Sequence, residues 1–198
     1  MNENQNKKRI LETARILFNR FGFHKVPVDE IVSQLGMSKK TFYKYFESKD
    51  MLVKTLVDIH IQDINFRVNH IVQNKQLNFI QKIENYLNII ASFHAIISEN
   101  FMRDIIKYNS DIMKQIEEAG KKLIMENFRV LFTKGIEENT VRSDVDPDLF
   151  VTIYSHIVQK MHDPHVLSNI SYSFDEINKM TTTILFKGIL TEEARKGR

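Results

Sequence analysis

A short run of basic and hydroxyl-bearing side chains between Lys39 and Tyr45 carries the clearest chemistry of this sequence. Lysine ammonium groups donate to guanine acceptors or phosphates, threonine contacts a thymine methyl or a phosphate, and tyrosine hydroxyls donate to phosphate. The run therefore predicts a helix that contacts double-stranded DNA. The residues expected at the DNA are Lys39, Lys40, Thr41, Tyr43, Lys44 and Tyr45, with Lys49 at the phosphate backbone just beyond them.

Phe42 and Phe46 lie within this run and are four residues apart. On a helix such a pair shares one face, so we expect both rings to face inward. Thr41, Lys44 and Tyr45 are then expected on an outward arc. Each of these polar side chains could instead be an ordinary solvated residue, and it is the whole set at this spacing that favours DNA contact.

The segment from Val28 to Lys49 has the spacing of a helix-turn-helix. A first short helix opens with Asp29 and Glu30 and stops at Gly36, and a second begins after Ser38. A preceding helix is predicted from about Lys7, and its apolar residues recur with helical spacing. Its predicted buried face consists of Ile10, Ala14, Leu17, Phe18 and Phe21.

Positive charge is concentrated at the same end of the chain. The net charge of the whole sequence is +3, yet residues 1–50 hold ten Lys and Arg against six Asp and Glu, a balance of +4. A basic N-terminal region is where a polyanion would bind, although a solvated basic surface gives the same balance.

The rest of the sequence also predicts helices. Six Gly, three Pro and an absence of alternating strand-like segments favour an all-α fold. Ser48 is a candidate cap for a fourth helix that runs to about Val72, and Asp146 followed by Pro147 is a candidate start for a later one. The absence of Cys excludes disulfides and Cys-ligated zinc. Neither a signal peptide nor an apolar run of about 20 residues is found, so a cytoplasmic protein with no membrane partner is expected.

The N-terminal motifs closely resemble the DNA-binding domain of TetR/AcrR-family transcriptional regulators. The resemblance covers residues 7–52 and rests on Phe21-Gly22, on Asp29-Glu30-Ile31, on the turn Leu35-Gly36-Met37-Ser38, and on the segment from Thr41 to Leu52. Three positions depart from the family pattern. Val32 replaces a small Ala, Pro27 replaces a capping Thr, and Lys40 replaces a frequent Gly.

The resemblance implies a homodimer of all-α subunits. No cofactor is expected. Residues 1–50 would form a three-helix helix-turn-helix DNA-binding domain, and residues 51–198 a six-helix domain for effector binding and dimerisation. It also implies that Thr41, Tyr43, Lys44 and Tyr45 touch operator DNA and that Lys49 binds phosphate.

Apolar and aromatic residues of the C-terminal region are candidates for an effector pocket that accepts an apolar or amphipathic small molecule. A helical stripe of Met and aromatic residues is also typical of plain core. The candidate lining residues are Phe93, Phe101, Met102, Tyr108, Met113, Met125, Phe128, Phe132 and Tyr154, with Asn88, His94 and His156 as polar members.

The last two predicted helices carry apolar residues suited to a four-helix interface with a second copy related by two-fold symmetry. Internal packing within one subunit would use the same residues. The candidates are Ile153, Ile157, Val158, Met161, Ile177, Met180, Ile184 and Gly188.

No metal site is expected, since His162, Asp163 and His165 share a Pro-containing loop without further ligands. No catalytic motif is recognised either, so we expect a protein that is not an enzyme.

The sequence thus favours a ligand-responsive regulator, expected to act as a repressor, that binds a near-palindromic operator as a homodimer and is released by a small effector. The predicted fourth helix is the candidate lever between effector and DNA. Two other functions remain open at this point. One is a helical carrier of small molecules or lipids that no longer reads DNA, and the other is an architectural DNA-binding protein without an effector.

Overall fold

The computed structural model describes residues 3–161, 172 and 174–196. Its regular elements are α-helices, apart from one isolated antiparallel bridge between Val141 and Leu190, so the predicted all-α fold is confirmed. The helices are α1 Glu3–Phe21, α2 Val28–Leu35, α3 Lys39–Tyr45, α4 Lys49–Gln73, α5 Phe79–Ile96, α6 Glu99–Tyr108, α7 Ser110–Glu137, α8 Pro147–Met161, α9 Phe174–Ile189 and α10 Glu192–Lys196.

Side chains that accept hydrogen bonds from the first helical turn mark where the helices begin. The Met51 N–H donates to the Ser48 hydroxyl at 3.0 Å, and the Leu149 N–H donates to the Asp146 carboxylate at 2.7 Å. Pro147 is the first residue of α8 and has no N–H to leave unpaired. Both predicted caps are therefore confirmed.

The chain divides into two compact units, with α4, α5 and α7 contributing residues to both. The first unit comprises the described residues up to Ile64 together with Ser92–Glu118, and the second comprises Asn65–Ala91 and the described residues from Ala119 onward. The domain boundary expected at residue 50 stays a prediction.

The core of the first unit joins α1 to the helix-turn-helix and to α6. Ile10, Ala14, Leu17 and Phe18 on α1 are buried as predicted. Phe21 is 43% exposed, so its assignment to the buried face was wrong. Phe21 is the last residue of α1, and its ring lies beneath the Arg20 guanidinium, 5.0 Å from the ring centroid.

The core of the second unit is an aromatic cluster, which we define as Tyr86, Phe128, Phe132, Phe150, Tyr154 and Phe186. These rings come from α5, α7, α8 and α9, and all six are buried. Phe128 is central, with its ring centroid 4.9 Å from that of Tyr86, 5.7 Å from that of Tyr154 and 5.5 Å from that of Phe186. The described helices include none with the length and apolar character needed to cross a membrane.

Candidate nucleic-acid interface and ligand-binding region

The turn between α2 and α3 is fixed by Gly36. This residue ends α2 at φ 62°, a left-handed conformation that glycine adopts without a steric penalty. The Met37 N–H then donates to the Val32 carbonyl at 2.9 Å. Ser38 caps the next helix, because its hydroxyl accepts the Thr41 N–H at 3.1 Å. The backbone conformation and hydrogen bonds of this short turn therefore set the direction of α3.

Two phenylalanines hold α3 against its own unit. Phe42 is fully buried, Phe46 is 2% exposed, and their ring centroids are 5.8 Å apart. The buried side chains of Ile31 and Val32 on α2 belong to the same core. The inward orientation expected for Phe42 and Phe46 is what the structure shows, and it leaves the opposite face of α3 to solvent.

The outward face of α3 presents Lys40, Tyr43 and Lys44, which we call the α3 face. Tyr43 is 51% exposed, and its ring stands edge-on to Phe42 with centroids 5.3 Å apart. Both lysines are exposed. Their cationic and hydroxyl donors therefore lie on a rigid helix whose back face is packed, as a DNA-reading surface requires.

Lys39 and Thr41 lie beside this face and contact the protein itself. The Lys39 ammonium is 2.9 Å from the Asp29 carboxylate, and both side chains are largely exposed. An exposed pair of this kind contributes at most about 1 kcal/mol, so DNA phosphate can compete with it. The half-buried Thr41 has its hydroxyl 3.0 Å from that of Ser38.

Tyr45 does not lie on the outward arc where the sequence analysis expected it. Its side chain is half-buried against the core of the first unit, and its hydroxyl accepts a hydrogen bond from the Asn6 amide at 3.4 Å. One residue corresponds to about 100° of rotation on a helix, which places Tyr45 at the edge between the buried and exposed sides of α3.

Lys49 also contacts the protein itself. Its ammonium donates to the carbonyl oxygens of Phe23 at 3.0 Å and Val26 at 3.2 Å, with His24 at 3.5 Å. These carbonyls belong to the loop between α1 and α2. The sequence motif predicts a phosphate contact for this ammonium, whereas in the structure it contacts the loop that precedes α2.

Contacts from α1 to the helix-turn-helix were missed by the sequence analysis. The Arg9 guanidinium donates to the carbonyl of Leu35 in the last turn of α2 at 3.3 Å, and Asn6 reaches Tyr45. The basic N-terminal residues were noted only for their charge. Arg9 immediately precedes the buried Ile10, and that position was the available signal that it faces a neighbouring helix.

A second missed set joins α6 to the end of α1. Asp104 accepts the His24 N–H at 2.8 Å, and the Ser98 hydroxyl donates to the Asn19 carbonyl at 2.6 Å. The His24 ring stacks on Tyr108, with ring centroids 3.9 Å apart and planes 11° apart. These partners are about 80 residues apart in sequence, so no local pattern pointed to them.

The candidate pocket residues fall into different units. Phe101 and Met102 are buried in the core of the first unit, Met113 packs against that core, and Tyr108 is 45% exposed beside His24. In the second unit, only Phe128, Phe132 and Tyr154 join the aromatic cluster.

The remaining pocket candidates lie outside that cluster or are not described. Met125 is half-buried, Asn88 is exposed, and the exposed His156 has Nδ1 2.7 Å from the Thr152 carbonyl oxygen. The side chains of Phe93 and His94 lie outside the described residues. The assignment of the whole set to a pocket stays a prediction.

The candidate dimer residues are divided between the surface and the interior. Ile153, Met180 and Ile184 are 44%, 50% and 68% exposed. Gly188 is also exposed, Ile157 is half-buried, and Ile177 is buried within its own unit. The side chains of Val158 and Met161 lie outside the described residues, as do His162, Asp163 and His165.

Comparisons with known proteins agree with this arrangement. The family described as bacterial regulatory proteins, tetR family, matches residues 10–56, which span α2, α3 and most of α1. An uncharacterized HTH-type transcriptional regulator of Bacillus subtilis (strain 168), YvaF, is 25% identical over 94% of this chain and 96% of its own length.

Two solved structures have the same fold. A TetR/AcrR-family transcriptional regulator from Thermobifida fusca is 20% identical, with a TM-score of 0.68 over 93% of this chain and 98% of that one. A transcriptional regulator from Cytophaga hutchinsonii is 15% identical, with a TM-score of 0.74 over 92% of this chain and 97% of that one.

Proposed function

The chain is a transcriptional regulator of the TetR family, and on that basis we propose that it is a homodimeric repressor that binds a near-palindromic operator and is released by a small apolar or amphipathic effector. The observation that carries this proposal is the α3 face. Lys40, Tyr43 and Lys44 are exposed on a helix that follows a glycine turn and is held from behind by the buried Phe42 and Phe46.

Two copies of the α3 face must meet the same side of a double helix for a near-palindrome to be read. Successive major grooves on one side lie about 34 to 36 Å apart, so the dimer must hold its two α3 helices at that spacing. The apolar side chains exposed on α8 and α9, Ile153, Met180 and Ile184, supply a surface that a second copy would cover.

Release by an effector requires a dimer geometry that the effector prefers and DNA does not. The helix α4 extends over 25 residues, from just after α3 to Gln73, and is the candidate lever between the two ligands. A ligand that binds better to a wider or rotated dimer shifts the population away from the DNA-binding spacing. Ligand and DNA then weaken each other's binding by the same factor.

A second candidate function keeps the DNA binding but has no effector. The packing of the aromatic cluster favours it, because Phe128 and Phe132 are fully buried and their ring centroids are 5.9 Å apart. In that case α5, α7, α8 and α9 would serve only to support the dimer.

The salt dependence of DNA binding tests the α3 face without knowledge of the operator. A short duplex of arbitrary sequence is titrated with the parent protein and with the double variant Lys40→Ala, Lys44→Ala over a range of salt concentrations. Each phosphate contact contributes about 0.9 to the slope of log affinity against log salt, so we expect the variant to bind more weakly and with a shallower slope.

The matched control is Lys114→Ala, Lys122→Ala, which removes two exposed lysines from α7. It loses the same net charge, and we expect it to keep the parent slope. Equal slopes for all three proteins would contradict the assignment of the α3 face. An absence of salt-dependent duplex binding would favour the small-molecule or lipid carrier.

A further inference from the structure

Tyr86 on α5 is a buried polar residue that the proposed DNA contacts do not use. Its side chain has no exposed surface, and among the described residues its hydroxyl has no hydrogen-bond partner. Most buried side-chain hydroxyls in proteins are paired, because burial without a partner forfeits the hydrogen bonds that water would make. An unpaired phenol at the centre of a helical unit therefore requires an explanation.

The surroundings of Tyr86 are aromatic. Its ring stands at 85° to that of Phe128, with centroids 4.9 Å apart, and Phe128 in turn contacts Tyr154 and Phe186. A phenylalanine at position 86 would make the same edge-to-face contact without burying a hydroxyl. Packing alone thus gives no reason for a tyrosine here.

The hydroxyl of Tyr86 is a neutral donor at physiological pH. Burial raises the pKa of Tyr86 well above its usual range, and the phenol of Tyr154 raises it further. The cation one helical turn earlier, Lys82, donates instead to the Val72 carbonyl at 3.0 Å. The group that would satisfy Tyr86 is therefore an uncharged acceptor rather than an anion.

We propose that the Tyr86 hydroxyl is the hydrogen-bond donor of the effector site, and that the effector is a neutral molecule with an apolar body and an oxygen acceptor such as a carbonyl. This inference rests on the proposed effector response. It places the binding site at the aromatic cluster, where apolar rings enclose the ligand and one donor fixes its orientation.

The position of the proposed site links ligand binding to the surface of Ile153, Met180 and Ile184 that a second copy would cover. Phe150 and Tyr154 are on α8 and Phe186 is on α9, and these two helices also carry the exposed Ile153 and Ile184. Because the rings are packed, a ligand that reaches Tyr86 must move at least one of them. Movement of Phe150, Tyr154 or Phe186 would act directly on α8 or α9, the helices that would contact a second copy.

A double-mutant cycle between protein and probe tests the proposal. The probes are acetophenone and its hydrocarbon isostere α-methylstyrene, in which a methylene group replaces the carbonyl oxygen, together with benzoate as an anionic arm. Dissociation constants are measured by NMR titration for the parent and for Tyr86→Phe, which removes only the hydroxyl oxygen. Tyr172→Phe is the matched control, since Tyr172 is 55% exposed.

We expect Tyr86→Phe to weaken the binding of acetophenone about fivefold, which corresponds to the loss of one neutral hydrogen bond. The affinity for α-methylstyrene should stay unchanged or rise slightly. Tyr172→Phe should alter neither constant. Benzoate should bind more weakly than acetophenone to the parent. Because the substitution removes an unpaired buried group, Tyr86→Phe should melt at or above the temperature of the parent in the absence of a probe.

Three results would overturn the proposal. Tyr86→Phe could change the affinities for the two neutral probes equally, the parent could bind benzoate more tightly than acetophenone, or the parent could bind none of the probes. The slope of DNA binding against salt, measured on the same samples, reports the proposed function separately. A protein that binds duplex through the α3 face but shows no coupling between Tyr86 and the carbonyl contradicts only this inference.

Discussion

Two residues at the candidate interface have side chains suited to DNA contact, yet both form hydrogen bonds within the protein. The ammonium of Lys49 contacts carbonyls of the loop between α1 and α2, and the hydroxyl of Tyr45 contacts Asn6 on α1. Both contacts hold the helix-turn-helix against the rest of its unit. Lys40, Tyr43 and Lys44 are the exposed residues of the α3 face.

Lys49→Met separates a role in the fold from a role at phosphate. The substitution keeps the alkyl chain but removes the donors to the Phe23 and Val26 carbonyls. Hydrogen bonds to a charged donor contribute about 1.5 to 3 kcal/mol each when well buried, and this site is only partly buried, so we expect a loss of about 1 to 2 kcal/mol. Urea unfolding measures that loss.

The salt slope of DNA binding supplies the second measurement for Lys49→Met. We expect the slope of the parent to be retained, since this ammonium is occupied by the loop. A slope that falls by about one for each Lys49 removed, with unchanged stability, would instead place Lys49 on the phosphate backbone.

At the scale of single residues, the sequence predicted the centre of each helix face better than its edge. Phe42 and Phe46 were assigned inward from their spacing, and both are buried. Tyr45 was assigned outward, yet it lies half-buried at the boundary of the two faces. Helical periodicity gives the centre of each face reliably, but the edge of a face depends on the neighbouring helix, which for Tyr45 is α1.

At the scale of helices, α6 is held on the end of α1 through a close approach at Gly22. Gly22 has φ 82°, and a Cβ added there would overlap the Asp104 carboxylate that accepts the His24 N–H. Phe101 on α6 also packs between Phe18 and Phe23, with ring centroids 5.5 and 6.0 Å away. Gly22 is therefore required both for the turn of the chain and for the approach of α6.

Substitution of Gly22 by Ala tests this junction, with Gly36→Ala as its matched control. Both glycines have positive φ, but a Cβ at Gly36 would meet nothing within 4 Å. We expect Gly36→Ala to lower the free energy of unfolding by about 1 to 2 kcal/mol through backbone strain alone. Gly22→Ala should lower it further, because the Asp104 carboxylate must also move. Urea unfolding measures both losses.

The extra cost of Gly22→Ala should shrink when Asp104→Ala is combined with it, because the second change removes the overlapping carboxylate. Additive effects of the two substitutions, or equal costs at Gly22 and Gly36, would show that this approach does not limit the packing of α6.

The helices themselves were largely predictable, whereas the junction of α6 with α1 was not. Ser48 and Asp146 were recognised as caps because their partners lie three residues away. Asp104 and His24 are 80 residues apart, and neither position carries a local signal for the other. Local chemistry determines where a helix begins, but the approach of two distant helices depends on the assembled core.

At the scale of the whole molecule, the proposed reading of a near-palindrome requires a two-fold dimer that presents two α3 faces. The apolar side chains of Ile153, Met180 and Ile184 are the described candidates for its interface. The sequence indicated that α8 and α9 form this interface, but it could not separate their exposed residues from their buried ones. Ile177, for example, is buried. Helical spacing alone does not separate a face that packs internally from one that would receive a second copy.

Selection of bound duplexes from a random pool is the most direct test of the central claim that two α3 faces read one double helix. The parent is compared with Ile184→Glu, which places a charge on the proposed dimer face, and with Ile16→Glu as a control at another exposed isoleucine. Sedimentation of each protein, judged against the 23.4 kDa mass of one chain, reports the oligomeric state.

We expect the parent and Ile16→Glu to sediment as dimers and to enrich inverted half-sites whose centres lie about 10 base pairs, or one helical turn, apart. Ile184→Glu should sediment as a monomer and lose the paired site. Enrichment of no sequence by the parent, or of a lone half-site without a two-fold partner, would contradict the reading of one double helix by two α3 faces.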